Sequence, residues 1–256
     1  MSDGTVEVEV TDRLAVITLN RPTKRNALTV ALLRALTATI DRVGADDDVD
    51  VLILTGADPA FCAGLDLQEV GASGGALVAG GETGSSSPWP ALTKPIIGAI
   101  NGAAITAGFE IALHCDFLIA SEHARFADTH VAVGVMPGGG LSALLPRRIG
   151  FPRAVELSLT GRFIGATEAH TLGLVNHVVP HPDLMATARD IARDIAAKDQ
   201  RAVRTLLASM HRIVAADGDE SALAIERDTA RTWLRSFDHA DVENRREAVM
   251  THNRRQ

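Results

Sequence analysis

A chain of 256 residues has room for one large α/β domain, alone or with a helical appendage, and for a substantial buried core. Its 46% hydrophobic and 22% charged content is that of a soluble globular protein, and no apolar run approaches the ~20 residues that a bilayer span needs. A net charge of -7, an aromatic content of 4% and a complete lack of tyrosine argue against nucleic acid as a main partner, because phosphate neutralisation wants a basic surface and single-strand binding wants stacking rings.

The first ten residues, MSDGTVEVEV, are acidic and polar rather than basic then apolar, so no signal peptide is expected and a cytoplasmic location follows by default. Val6, Val8 and Val10 alternate with charged residues, and Leu14 to Leu19 follows a Thr-Asp-Arg turn, which predicts a half-buried hairpin ended by Arg21-Pro22. Leu28, Leu32, Leu36 and Ile40 recur every four residues and predict an amphipathic helix over 26–43, with Thr29 available as a cap. The short apolar runs 51–55, 95–100 and 117–120 read as strands covered on both faces of an α/β sheet. Between the first two, the glycine- and serine-rich 71–88 segment reads as a mobile loop. Helices are predicted near 141–149, 152–160 and 166–172, a strand over 174–179, and long amphipathic helices from 183 onward. Cys62 and Cys115 lie far apart in apolar settings and read as reduced core thiols.

Most chemical signatures are missing from the sequence. No GxGxxG follows the first strand, there is no GxxxxGK[ST], and GLS at 140–142 is not a GxSxG elbow. His177 and His181 are four apart with Pro180 between them, which breaks a helix-face metal site and leaves loop histidines in solvent as the expectation. Two strand-to-helix junctions remain, one at Cys62-Ala-Gly64 and one at Ile105-Thr-Ala-Gly108, the second opening a helix that carries Glu110. Small residues let backbone N–H groups approach a ligand, so two such junctions at neighbouring strand ends can bind one developing oxyanion; each taken alone is equally a tight connection.

Four blocks in register, Asn20-Arg-Pro-Thr-Lys-Arg-Asn-Ala-Leu28, Ala60-Phe-Cys-Ala-Gly-Leu-Asp-Leu67, Lys94-Pro-Ile-Ile-Gly-Ala-Ile-Asn-Gly102 and Leu172-Gly-Leu-Val-Asn176, resemble the crotonase family of enoyl-CoA hydratases and isomerases. The resemblance implies a spiral of ββα units over 1–182 and a helical C-terminal region over 183–256, assembled as a homotrimer or a dimer of trimers. It implies an acyl-CoA substrate, with coenzyme A part of that substrate and no separate cofactor or metal. The oxyanion hole falls on the backbone N–H groups of Leu65 and Ala107, with Thr106-Ala107 standing where relatives carry a Gly-Gly pair. Lys24, Arg25, Ala27, Ala63, Asp66, Leu67 and Gly108 fall on the positions that hold coenzyme A and the acyl group. Relatives that hydrate use two glutamates. Glu110 falls on the first, where partial burial should raise its pKa. The second position is His130, whose imidazole can exchange protons near neutrality. Asp128 either orients His130 or turns the chain, and the turn is the favoured expectation. His114, on the same helix face as Glu110, is expected to be a satisfied core histidine rather than a partner of that carboxylate.

Overall fold

A computed structural model describes residues 5–66, 68–69 and 87–235. The 71–88 loop lies outside the described residues except for its last two, as do Leu67 and the chain beyond 235. Two compact units are distinguished, 1–203 and 204–256.

The first unit opens with the predicted hairpin, β1 (Thr5–Thr11) and β2 (Leu14–Asn20), turned by Asp12 and Arg13 at φ 53° and 63°. Helix α1 (Val30–Ala45) starts later than its periodicity suggests, because Thr29 caps it by accepting a hydrogen bond from Leu32 N–H at 3.0 Å. The preceding residues 21–28 are spent on a loop. Next come β3 (Val51–Gly56), β4 (Ala60–Cys62), β5 (Ile96–Ile100), β6 (Ala103–Ile105), α2 (Ala107–Leu113), β7 (Phe117–Ser121) and β8 (Arg125–Ala127). They are followed by α3 (Leu141–Ile149), α4 (Phe151–Thr160), β9 (Ile164–Gly165), α5 (Ala166–Thr171), β10 (His177–Val179) and α6 (Leu184–Ala196).

The strands form a six-stranded sheet in the order β1-β2-β3-β5-β7-β10 and a four-stranded sheet in the order β4-β6-β8-β9. Each of the pairs β3/β4, β5/β6 and β7/β8 therefore gives one strand to each sheet, which is the spiral repeat. The fully buried strands of the large sheet face two cores by simple alternation. Ala15, Ile17, Leu19, Leu52, Leu54, Leu118 and Ala120 enter the larger core, with Leu32, Leu36 and Ile40 of α1. Leu14, Val16, Val51, Ile53, Ile97, Ala99 and Ile119 face the other way, onto Leu184, Ala188 and Ala192 of α6. Because α6 covers a sheet face, the compact unit runs past the boundary expected at residue 182.

One strand expectation is corrected. Leu174 and Val175 are buried, but only His177–Val179 pairs with β7; the Leu174 N–H is held by the Ala169 carbonyl at the end of α5, and Asn176 N–H makes the first contact with β7, at Leu118 O. Cys62 and Cys115 are free and buried, and burial pushes the Cys62 thiol up to about 12. The second unit holds most of α7 (Gln200–Val214) and all of α8 (Gly218–Leu234), joined by a 3.0 Å contact between the hydroxyls of Ser209 and Thr229. No described helix is long and apolar enough to cross a membrane.

Candidate active site

The two junctions singled out in the sequence touch each other. Gly64 has φ +99°, and a β-carbon there would lie 2.2 Å from Thr106 Oγ1 and 3.0 Å from the Ile105 carbonyl oxygen. A β-carbon on Gly108 would lie 2.2 Å from the Cys62 carbonyl oxygen. At Gly108 two backbones meet at a distance no side chain allows, and at Gly64 the Thr106 hydroxyl and a positive φ exclude one. Across the first junction, Leu28 N–H donates to Gly64 O at 2.7 Å and Asp66 N–H donates to Leu28 O at 2.8 Å, so this ladder steps over the Leu65 amide. Ala107 is the first residue of α2, where helix geometry gives an N–H no partner within the helix. Thr106, just before it, holds φ 47° and ψ -114°, an unusual conformation for a β-branched residue, fixed by its N–H donating to Ala127 O at 3.0 Å.

Glu110 lies one turn into α2 and is buried. Its Oε1 accepts hydrogen bonds from Gly139 N–H at 2.8 Å and Leu141 N–H at 3.4 Å. Burial raises its pKa; the Gly139 hydrogen bond and the positive charge of a protonated His130 oppose that rise without cancelling it. The charges of His130 and Asp128 both act on Glu110, which places the three groups in one electrostatic neighbourhood. His130 is 4% exposed, and its Nδ1 lies 2.6 Å from Asp128 Oδ1, the same oxygen that accepts the His130 backbone N–H at 3.2 Å. Asp128 therefore turns the chain, as expected, and also holds the ring. Burial pushes the Asp128 carboxyl up, but hydrogen bonds from His130 and Ser158 outweigh it and leave the group below its ordinary value.

His114, the cap at the end of α2, has its Nε2 2.8 Å from the Gly139 carbonyl oxygen and its ring edge-on to Trp89, so Gly139 is held at both of its backbone groups: Glu110 takes the N–H and His114 the carbonyl. Arg148 of α3 donates to the carbonyls of Asp116, Cys115 and Leu113 at 2.9, 2.7 and 3.4 Å, closing the far end of α2.

The residues expected to hold coenzyme A fall into three groups. Lys24 and Arg25 are exposed, and Ala63 N–H donates to Arg25 O at 3.0 Å, so these residues and Ala27 lie along the first junction. The Asp66 carboxylate is engaged by Arg21 at 2.7 Å, which lowers its pKa, and it also receives the Gln68 N–H at 3.0 Å. Gly108 is packed on Cys62. Sequence reasoning missed Asn26, which is wholly buried at φ 56°: its side chain accepts from Arg21 N–H at 2.8 Å and donates to the carbonyls of Ala57 and Ala60 at 2.8 and 2.7 Å, stapling the 21–28 loop to the β3–β4 turn. The available signal was an amide side chain inside a run of cations.

His177 is exposed, as expected, whereas His181 is not a free loop histidine. Its ring bridges Ser121 Oγ at 3.0 Å and Asp58 Oδ2 at 3.1 Å and stacks on His123. Among the described residues no cluster of three or more His, Cys, Asp or Glu side chains is arranged to hold a metal ion.

Comparison with known proteins agrees with this architecture. The family model described as Enoyl-CoA hydratase/isomerase matches residues 9–250. The protein named "Probable enoyl-CoA hydratase 1, peroxisomal" from Arabidopsis thaliana is 45% identical over 187 residues, covering 73% of this chain and 71% of that one. The crystal structure of an enoyl-CoA hydratase from Mycobacterium tuberculosis H37Rv aligns with 49% identity and a TM-score of 0.74, over 88% of this chain and 95% of that one. One from Bacillus anthracis aligns at 32% identity with a TM-score of 0.84, over 95% and 96%. With the spiral of paired strands, the touching junctions and these matches together, the chain belongs to the enoyl-CoA hydratase/isomerase family, the crotonases.

Proposed function

We propose that this chain is an enoyl-CoA hydratase, adding water across the 2,3 double bond of an acyl-CoA thioester. The observation that carries the reading is the buried Glu110 set one turn behind the Ala107 amide, in the same electrostatic neighbourhood as His130. The Leu65 and Ala107 amides hold the thioester oxygen as it gains charge, each such donor worth ~3 kcal/mol in the transition state. Glu110 and His130 manage the water and its proton, and burial, by raising the Glu110 pKa, favours the protonated form that a general acid needs. Lys24, Arg25 and Ala27, with Ala63, Asp66 and Leu67, border the coenzyme A moiety. Coenzyme A arrives with the substrate, and the reaction needs no further cofactor. Assembly as a homotrimer or a dimer of trimers is expected from membership of the family, and the exposed Phe151, Leu159 and Phe163 are available for subunit contacts.

The test is loss of the enoyl-thioester absorbance with crotonyl-CoA and longer chains. Turnover is expected; thioester binding without hydration, even at high enzyme concentration, would discard the reading. Under that outcome the replacement of the second glutamate by His130 would leave isomerisation, decarboxylation or thioester hydrolysis of an acyl-CoA, or acyl-CoA binding without catalysis, and product analysis with the matching thioesters would separate them.

A further inference from the structure

We infer that Asp128 is a positioning residue that fixes the tautomer of His130, so that Nδ1 carries the ring proton and Nε2 is the atom that takes a proton from water. The inference rests on the hydration reading above and deepens it. A carboxylate oxygen only accepts at this distance, so the Nδ1 that faces Asp128 Oδ1 at 2.6 Å is the protonated one. In the neutral ring Nε2 is then a bare lone pair, and among the described residues it takes no hydrogen bond. Both partners are buried, at 4% and 2% exposure, so the pair is shielded from competing water. The carboxylate is itself pinned, by the His130 backbone N–H and by Ser158 of α4. This is the arrangement by which a buried aspartate selects one imidazole tautomer and stabilises the imidazolium that forms.

The division of labour follows from which atoms can give and which can take. A water O–H bond breaks, its proton passing to Nε2, while the water oxygen bonds to C3 of the enoyl group. The C2–C3 π pair moves through the thioester onto its oxygen, which the two backbone amides hold. The protonated form of Glu110, which burial favours, gives its proton to C2 as that electron pair returns, leaving a carboxylate beside an imidazolium. Transfer of the imidazolium proton to Glu110 through a site water restores the start, and the sum is one water added. The ionisable groups shown to act on His130 are Asp128 on its own segment and Glu110 on α2.

Histidine-selective 15N NMR on the full chain, with and without substitution at 128, tests this directly. In the native protein Nδ1 should be protonated and Nε2 bare once the ring is neutral. Asp128→Ala removes the acceptor and should turn the ring toward the Nε2–H form, with kcat falling about 10²-fold or more while KM for the enoyl thioester moves little. Asp128→Asn keeps an acceptor and removes the charge. Its ring should stay Nδ1–H, and the acid limb of its kcat–pH profile should shift to lower pH, which a purely structural residue would not cause. An Nε2–H ring in the native protein would overturn the inference. So would a folded Asp128→Asn variant with an unmoved profile, or activity lost only in proportion to lost folded protein. If the native chain does not hydrate enoyl thioesters, the reaction assignment falls and the NMR arm still decides the role of Asp128.

Discussion

Glu110 and Asp128 are two buried carboxylates of one site, and their surroundings drive them in opposite directions. Burial is the largest influence on both and pushes both up. For Asp128 the hydrogen bonds from an imidazole and a serine hydroxyl prevail and the group stays ionised; for Glu110 the backbone N–H groups of Gly139 and Leu141 fall short and the group holds its proton more tightly than in water. The difference teaches that for two carboxylates that are both buried the partner, and not the depth, decides which one holds its proton more tightly. A pair of ionisable groups whose environments pull their proton affinities apart is the usual mark of assigned acid and base roles.

The largest expected effect comes from removing the carboxylate proposed to carry the proton. Glu110→Gln should lower kcat ~10²–10⁴-fold while folding normally. Its stability should rise relative to the native chain at neutral pH: between the ordinary and the raised pKa of Glu110 the folded state binds the proton more tightly than the unfolded one, so native stability falls as pH rises through that interval. Denaturant titrations at several pH values would check this, and a gap that shrinks with rising pH would contradict it. Asp128 carries the opposite sign. Its contribution is present above the ordinary carboxylate pKa and is lost as pH falls through its lowered value, so the difference in stability between native and Asp128→Asn should vanish in acid.

A sharper test places a second carboxylate beside the fixed one. His130→Glu alone would set two carboxylates at hydrogen-bond distance, so one must stay protonated and hydration at neutral pH should fall at least tenfold, with the optimum moved toward acid. Adding Asp128→Asn should restore much of it, and equal activity of the single and double variants would break the comparison. Gly108→Ala tests whether the site depends on where α2 begins. Alanine is favoured in helices by ~1 kcal/mol, yet its methyl would meet the Cys62 carbonyl at 2.2 Å, so stability and turnover should both drop. The smallest effect is expected from Arg148→Met, which frees three carbonyls at the end of α2. It should cost about 1–3 kcal/mol in stability, read by denaturant unfolding, with little change in kcat.

Much of this was legible in the chain. The apolar runs at 51–55, 95–100 and 117–120 became the covered strands β3, β5 and β7, because a strand buried on both faces needs no polar alternation. Glu110 stood out as a charge inside an apolar helix, and His130 as the residue at the second glutamate position. The small sheet was not legible, since β4, β6, β8 and β9 have two or three residues each, too few to show a period. The hold of Asp128 on the ring was not legible either. It depends on a local turn in which the Asp128 carboxylate meets both the backbone N–H and the ring of His130, and i, i+2 spacing alone does not specify this. Asn26 and His114 were hidden for a different reason, as the carbonyls they hold lie thirty-odd and twenty-five residues away in sequence.

The strand order of the large sheet, β1-β2-β3-β5-β7-β10, repeats the order in which the strands occur in the chain. No strand has to wait for a later one to fill a place between it and its neighbour. A ribosome that releases the hairpin first can therefore add each parallel strand at the open edge as it emerges, with the costly long-range pairings paid out one at a time rather than in a single search. The two touching junctions, Cys62–Leu65 and Ile105–Gly108, both precede β7 in the chain, so both are made before the helices that follow residue 140.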